Sequence, residues 1–290
     1  MATSLTTPRP EQLGAVVAAL RGWHREGGPF HLHPGDLGWH HLRGPEATAA
    51  HLRLWRREGR MVALGLLDGP DLVRTAVDPA HAADEELART MAGDLVHPAR
   101  GVLPDGPAYV EAHSAHRLRT ELGRHGWTEG EPWVPLRREL GSPVPEPQLA
   151  VERVDAGTAG EYAAVHRSAF SSPGVTEERF ATMTTGPAHR EAVSLLGRDR
   201  DGAAVAVITV WSAGPGRPAL IEPMGVHADH RGRGHGRAIC LAAAARLQRM
   251  GASSAMVCTP RSQPGAVETY RAAGFTALPA VPDLQRPSGA

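Results

Sequence analysis

The chain has 290 residues, enough for two domains of ordinary size, each with its own core. Its 31 arginines balance 31 acidic residues, lysine is absent and sixteen histidines make the balance pH-sensitive, so no global field favours nucleic acid or an anionic membrane. The two cysteines, Cys240 and Cys258, lack metal-ligand or disulfide spacing, residues 1–12 lack the pattern of a signal peptide, and no segment reaches the ~18 apolar residues of a membrane span; the expectation is a cytoplasmic protein without a metal.

Residues 10–21 have helical spacing (Leu13, Val16, Val17, Leu20) closed by Gly22. Residues 23–41, rich in tryptophan and histidine, are too broken by proline and glycine for regular structure; His31, His33, His40 and His41 invite a metal reading, but no carboxylate or cysteine completes a set. Residues 52–67 and 72–77 read as strands joined at Asp68-Gly69-Pro70-Asp71. A helix over 85–96, a strand over 108–112, a helix over 115–123 and a polar strand over 133–140 complete the first half.

Residues 141–147, with Pro143, Pro145 and Pro147, form an extended linker. Beyond it come a strand (149–154), helices (158–168, with Thr158 as cap, and 177–183), and strands over 192–196, 204–211 and 219–226. After a glycine-rich turn and a helix (237–250) follow a strand (254–258), a helix (265–272) and a last strand near 275–278, with a frayed tail from Pro279. The order of elements in the first half repeats in the second, at a period of ~140 residues, which suggests internal duplication.

The stretch around which the chain is organised is 219–251, ALIEPMGVHADHRGRGHGRAICLAAAARLQRMG. Gly232, Gly234 and Gly236 remove side chains where the backbone enters a helix, leaving its first N–H groups bare to converge on an anion; Arg231, Arg233 and Arg237, with His235 among them, stand at the positive pole of the helix dipole. The ligand this suits is a phosphate; the alternative is a glycine-rich turn with no ligand. Two other phosphate loops are excluded by spacing: a P-loop needs Lys-Ser/Thr after its last glycine, where Arg237-Ala238 stand, and a dinucleotide fingerprint starting at Gly232 needs glycine at Arg237. Glu222, the one acidic residue in an apolar strand, is a candidate base; the alternative is an outward-facing or salt-bridged side chain.

Arg-x-x-Gly-x-Gly (Arg231, Gly234, Gly236), after a strand ending at Val226 and before a helix, resembles the acyl-CoA pyrophosphate motif of the GNAT superfamily of N-acetyltransferases. Residues 266–275, AVETYRAAGF, are similar to the late helix of that family, ending in Tyr-x-x-x-Gly-Phe. The resemblance implies an α/β fold of two tandem GNAT-like domains, each a mixed, mostly antiparallel central sheet flanked by helices, an arrangement that mycothiol synthase shares. The first domain (1–141) has Val77-Asp78-Pro79-Ala80-His81-Ala82-Ala83-Asp84 in place of the phosphate loop and no CoA motif; the second (149–285) is the catalytic one.

What the resemblance implies for the chemistry is direct transfer of acetyl, or another small acyl group, from acetyl-CoA or another acyl-CoA as co-substrate to a primary amine of a small molecule. By that resemblance Glu222 acts as base, Tyr270 as the acid that protonates the thiolate, the alternative being a tyrosine that only packs the late helix, and Met224 and Val226 offer backbone groups to the pantetheine arm where Pro223 makes the strand bulge or splay. Two positions depart from the family pattern: Gln263 where asparagine is common, and Ala228 where proline is often found. Phe170 and Trp211 are candidates for an acceptor pocket or for the core. Two other readings stay open: a donor presented by an acyl carrier protein as a possible partner, and a non-catalytic CoA-binding sensor. The chain is expected as a monomer or homodimer.

Overall fold

The structure, a computed structural model, describes residues 2–287. The first half runs β1 (Thr3–Thr6), α1 (Leu13–Trp23), α2 (Pro34–His40), α3 (Pro45–Ala50), β2 (Leu52–Arg57), β3 (Arg60–Leu67), β4 (Leu72–Val77), α4 (Glu85–Val96), β5 (Tyr109–Glu111), α5 (His116–Arg124) and β6 (Thr128–Glu139). The second runs β7 (Ala150–Arg153), α6 (Ala159–Phe170), α7 (Glu177–Thr184), β8 (Ala192–Arg198), β9 (Ala204–Trp211), β10 (Pro218–Val226), α8 (His235–Arg249), β11 (Ser254–Pro260), α9 (Pro264–Ala272), β12 (Thr276–Ala277) and β13 (Val281–Gln285).

Among the described residues thirteen strands join one sheet, in the order β1-β2-β3-β4-β5-β13-β6-β11-β10-β9-β8-β7, with β12 on β6. Only β4–β5 and β10–β11 pair parallel; the other pairs are antiparallel. The two runs β1–β5 and β7–β11 have the same topology. Their continuations are exchanged: β6 of the first half pairs with β11, and β13 at the end of the second half pairs with β5. The sheet therefore crosses from one half to the other through β13 and β6, which pair with each other.

One core is built from both halves, where Leu13, Leu20, Leu32 and Leu37 pack with Tyr162, Met183 and Trp211. Gly35 and Gly38 bring α2 directly onto Trp211: a Cβ at Gly38 would lie 2.2 Å from the Trp211 ring, and one at Gly35 would lie 2.5 Å from it. Two further cores belong to the α8 side of the second half and the α4/α5 side of the first.

Several elements differ from the sequence expectations. Residues 52–67 are not one strand but the hairpin β2–β3, turned at Glu58 and Gly59, both at positive φ (51° and 77°). The stretch 23–41 contains α2, because Pro34 presets the first helical turn and the His33 and Asp36 side chains cap each other's backbone N–H groups. Within the stretch expected to fray from Pro279, Val281–Gln285 form β13, since the exchange gives them partners on both sides. β1 was not anticipated; it lies antiparallel on β2 at the sheet's edge.

Candidate active site

The turn into α8 holds its shape through glycine. Gly232 and Gly234 adopt left-handed φ of 74° and 83°, and a Cβ on either would meet no atom within 4 Å. Gly236 serves packing instead: a Cβ there would come 2.8 Å from the Thr269 methyl group, so its absence seats α8 against α9. The first helical bond joins Ala238 N–H to Gly234 O at 3.0 Å, and Gly234, as the capping residue, offers no side chain. The N–H groups of His235, Gly236 and Arg237 are thus those a helix start leaves without an intrahelical partner.

The arginines divide by role. Arg231 donates to Ala169 O at 2.6 Å and Arg237 to Ala272 O at 2.9 Å, which pins the turn to α6 and to the end of α9. Arg233, His235 and Arg237 line an open cleft of about 770 Å³ with Arg198, Arg200 and Gly234. Burial and the nearby charges of His230 and Arg233 favour the neutral form of His235, against the pull of Asp199.

β10 and β11 pair only from Pro218–Ser254 to Leu220–Met256. Beyond that register β10 stays on β9, with an irregularity between Ile221 and Met224 where Pro223 lacks an N–H, and its other edge opens. Met224 and Val226 sit in this splayed stretch, half-buried, leading to the glycine turn. Glu222 stands at the start of the opening; its backbone oxygen accepts the Trp211 indole N–H at 2.6 Å. The Glu222 side chain is closely surrounded yet half-buried, and burial, followed by the neighbouring charge of Asp36, raises its pKa well above the usual carboxylate range.

Tyr270 is 5% exposed, its ring edge-on to Phe275 at 5.7 Å. Burial first, then the charges of Cys240, Glu222 and Cys258, push its pKa well up, so it holds its proton. Glu222 is among the charges that act on Tyr270. Both cysteines are pushed up by burial, Cys240 to about 12, which makes neither a thiolate nucleophile. Trp211 belongs to the core, at 1% exposure, whereas Phe170 is 47% exposed.

A group of charged residues from the first half, unnoticed in the sequence, reaches Glu222. Asp36 at the start of α2 neighbours the Glu222 carboxyl, and its charge opposes ionisation of Glu222. Arg74 on β4 places Nη1 2.7 Å from Asp36 Oδ1 and Nε 2.8 Å from Glu111 Oε2, with Asp68 at 3.5 Å. Burial alone would raise Asp36, but Arg74, the neighbouring Glu222 carboxyl and the His33 N–H, which donates to Oδ2 at 2.5 Å, outweigh it and lower its pKa. Arg74 and Glu111 carry the same sequence signal as Glu222, a lone charge in an apolar strand; Asp36 had only Pro34 at a helix start, two residues before it, to mark it.

The histidines of 23–41 are packed, not free. His24 stacks on His31 (centroids 4.0 Å) and meets His33 edge-on (4.6 Å); His24 and His31 bond Leu32 O, and His33 Nδ1 accepts the Gly35 N–H. Among the described residues no group of three or more His, Cys, Asp or Glu is placed to hold a metal ion. No helix among them is long and apolar enough to cross a membrane.

Residues 161–275 match the model of the Acetyltransferase (GNAT) family. No curated protein sequence matches the chain. Among solved structures, a GCN5-related N-acetyltransferase from Sphaerobacter thermophilus is 19% identical, covering 98% of this chain and 95% of that one at a TM-score of 0.58. A tandem GNAT protein from the clavulanic acid biosynthesis pathway, solved without AcCoA, is 16% identical with 100% and 99% covered (0.57), and a GNAT-family acetyltransferase from Colwellia psychrerythraea is 12% identical with 98% of each covered (0.58). At these identities the likeness is one of fold, over both halves. The GNAT family match thus covers residues 161–275, and over its whole length the chain shares the fold of a tandem GNAT protein.

Proposed function

We propose that the chain transfers an acyl group, acetyl from acetyl-CoA, to the primary amine of a small molecule, at a single site in the second half (149–285). The observation that carries this is the splay between β10 and β11, with Glu222 at one end and a bare helix start at the other. The residues fit an acyl-CoA: the N–H groups of 235–237 and Arg233 suit its phosphates, and the unpaired edge of 222–226, with Met224 and Val226, suits its pantetheine arm. When bound, that co-substrate supplies the thioester carbon that the amine attacks.

The protein's own groups then manage two protons. Glu222 accepts one from the attacking nitrogen, and Tyr270 returns one to the sulfur as the C–S bond breaks, so a C–N bond and a thiol replace a C–S bond and an amine. The first half (1–141) is read as having no donor site. Where a phosphate loop would stand, Asp78 accepts the Ala80 N–H and Asp84, paired with Arg57, accepts the Leu87 N–H at the start of α4, each at 2.9 Å, so carboxylates already take the N–H groups an anion would need.

The test is the pH dependence of kcat/KM with acetyl-CoA and a panel of amines. Because Glu222 is raised, it is protonated at low pH and works as a base only once ionised; activity rises with pH through a value above the usual carboxylate range. Glu222→Gln loses about a hundredfold or more and flattens that limb. Wild-type activity in Glu222→Gln contradicts the assignment. Replacing acetyl-CoA by an acyl carrier protein donor in the same assay decides between the two thioester sources.

A further inference from the structure

The environment of Glu222 is supplied largely by the other half of the chain. α2 crosses β9 and β10 through its glycine contacts with Trp211, and the Trp211 indole in turn holds the Glu222 backbone oxygen. His33, at the start of α2, reaches Pro218 O on β10 at 3.4 Å. This seating puts Asp36, in the first turn of α2, against the Glu222 side chain. Asp36 is anchored from two directions, by Arg74 and by the His33 N–H, and Arg74 is fixed in turn by Glu111 on β5.

We propose that Asp36 is the positioning residue for Glu222: its anchored carboxylate holds the Glu222 carboxyl in the splay by a hydrogen bond, so that the first half completes the acyl-transfer site. The inference rests on the reading of Glu222 as base. It gives the first half a function although that half has no glycine cradle of its own.

The chemistry of two touching carboxyl groups sharpens the proposal. They share one proton, because two negative charges at hydrogen-bond distance repel. The negative charge stays on Asp36, which has Arg74 and the His33 N–H to stabilise it, and the proton stays on Glu222. The groups that face Glu222 are Asp36 from α2, Arg74 from β4, Asp68 from the turn after β3 and Tyr270 from α9; Glu111 and Cys258 stand behind them, on Arg74 and on β11. Of these, Asp36 most strongly opposes ionisation of Glu222 and Arg74 most strongly favours it. Replacing Asp36 by a neutral group of the same shape leaves Arg74 to act alone.

The experiment compares wild type, Asp36→Asn, Asp36→Ala and Glu222→Gln. Each is measured for its pH profile of kcat and kcat/KM, its affinity for acetyl-CoA by calorimetry, and its thermal midpoint. The expected result for Asp36→Asn is an activity limb moved down by about one pH unit or more, with acetyl-CoA affinity within about twofold of wild type. Asp36→Ala, which removes the hydrogen bond as well, lowers kcat about tenfold or more while the KM for acetyl-CoA stays put. Unmoved limbs in both variants, with Glu222→Gln inactive, overturn the Asp36 proposal and leave Glu222 as base. Full activity in Glu222→Gln overturns the functional reading instead. Should the Asp36 variants fail to fold, carboxyl NMR of the wild-type chain, with Glu222→Gln to assign the signal, decides: titration of Glu222 in the ordinary carboxylate range contradicts the shared proton.

Discussion

In the proposed mechanism Glu222 faces two opposing demands, to be basic enough to take a proton and to sit where apolar strand residues surround it. Burial and Asp36 meet both by raising its pKa, at the expense of keeping it protonated until the pH is high enough. Tyr270 is the complementary case in that proposal: a phenol raised by burial keeps its proton, as an acid for the departing sulfur must. Its removal is therefore a test at this scale. Tyr270→Phe keeps the ring contact with Phe275 and loses the hydroxyl, so kcat is expected to fall about a hundredfold with acetyl-CoA affinity unchanged, read from initial rates and calorimetry. Equal kcat in that variant shows Tyr270 to be a packing residue. Glu222 and Tyr270 stand out in the sequence as candidates because one is a charge in an apolar run and the other falls in the Tyr-x-x-x-Gly-Phe motif. Asp36 does not, since a single acid in a histidine-rich stretch carries no signal until the fold sets it beside Glu222.

Among the elements, α2 joins the halves and owes its place to what two residues lack. With no Cβ at Gly35 or Gly38, the helix backbone lies on the Trp211 indole, and the indole fixes Glu222 from beneath. Gly38→Ala, with a methyl 2.2 Å from the ring, must push α2 off β9. The expected cost is ~2 kcal/mol of stability from overpacking, together with a fall in kcat that leaves acetyl-CoA affinity intact, because the cradle is built by other elements. Denaturant unfolding and the transfer assay measure the two parts; an unchanged kcat separates α2 from the site. This helix escaped the sequence reading because proline and glycine usually end helices, and here Pro34 begins one while the glycines serve contact. The strand, glycine turn and helix around 219–251 were readable for the opposite reason: apolar period, turn chemistry and helix propensity agree there. The 52–67 hairpin was hidden because Glu58-Gly59 is a turn without the usual asparagine or proline.

Across the whole molecule, the halves are joined by sheet, core and polar contacts at once. β6 and β13 are exchanged, so neither half completes its sheet alone, and the strand β13 follows from that exchange, which period and composition do not reveal. The junction also carries the histidine cluster. His31 and His33 are lowered to about 4, each first by burial, and His24 is lowered well below its usual value by burial and then by its neighbours His31 and His33. Such groups stay neutral in the folded chain but bind protons in the unfolded chain as the pH falls below about 6.5. Stability is therefore full above that pH and is lost as it drops toward 4, by the order of 3 kcal/mol for each of His31 and His33. Denaturant midpoints between pH 7.5 and 4.5 should fall steeply, and less so in a His31→Gln variant; a flat profile contradicts the neutral cluster.

The most direct test of one working donor site is calorimetric titration of the purified chain with acetyl-CoA, beside Gly234→Glu. The left-handed φ of 83° makes that change strained by ~1 kcal/mol, a small part of the stability, while the new side chain puts negative charge at the helix start. One acetyl-CoA per chain, weakened about a hundredfold or more in Gly234→Glu with the thermal midpoint nearly kept, is the expected result. Two sites per chain, or equal affinity in the variant, would contradict the assignment of the cradle.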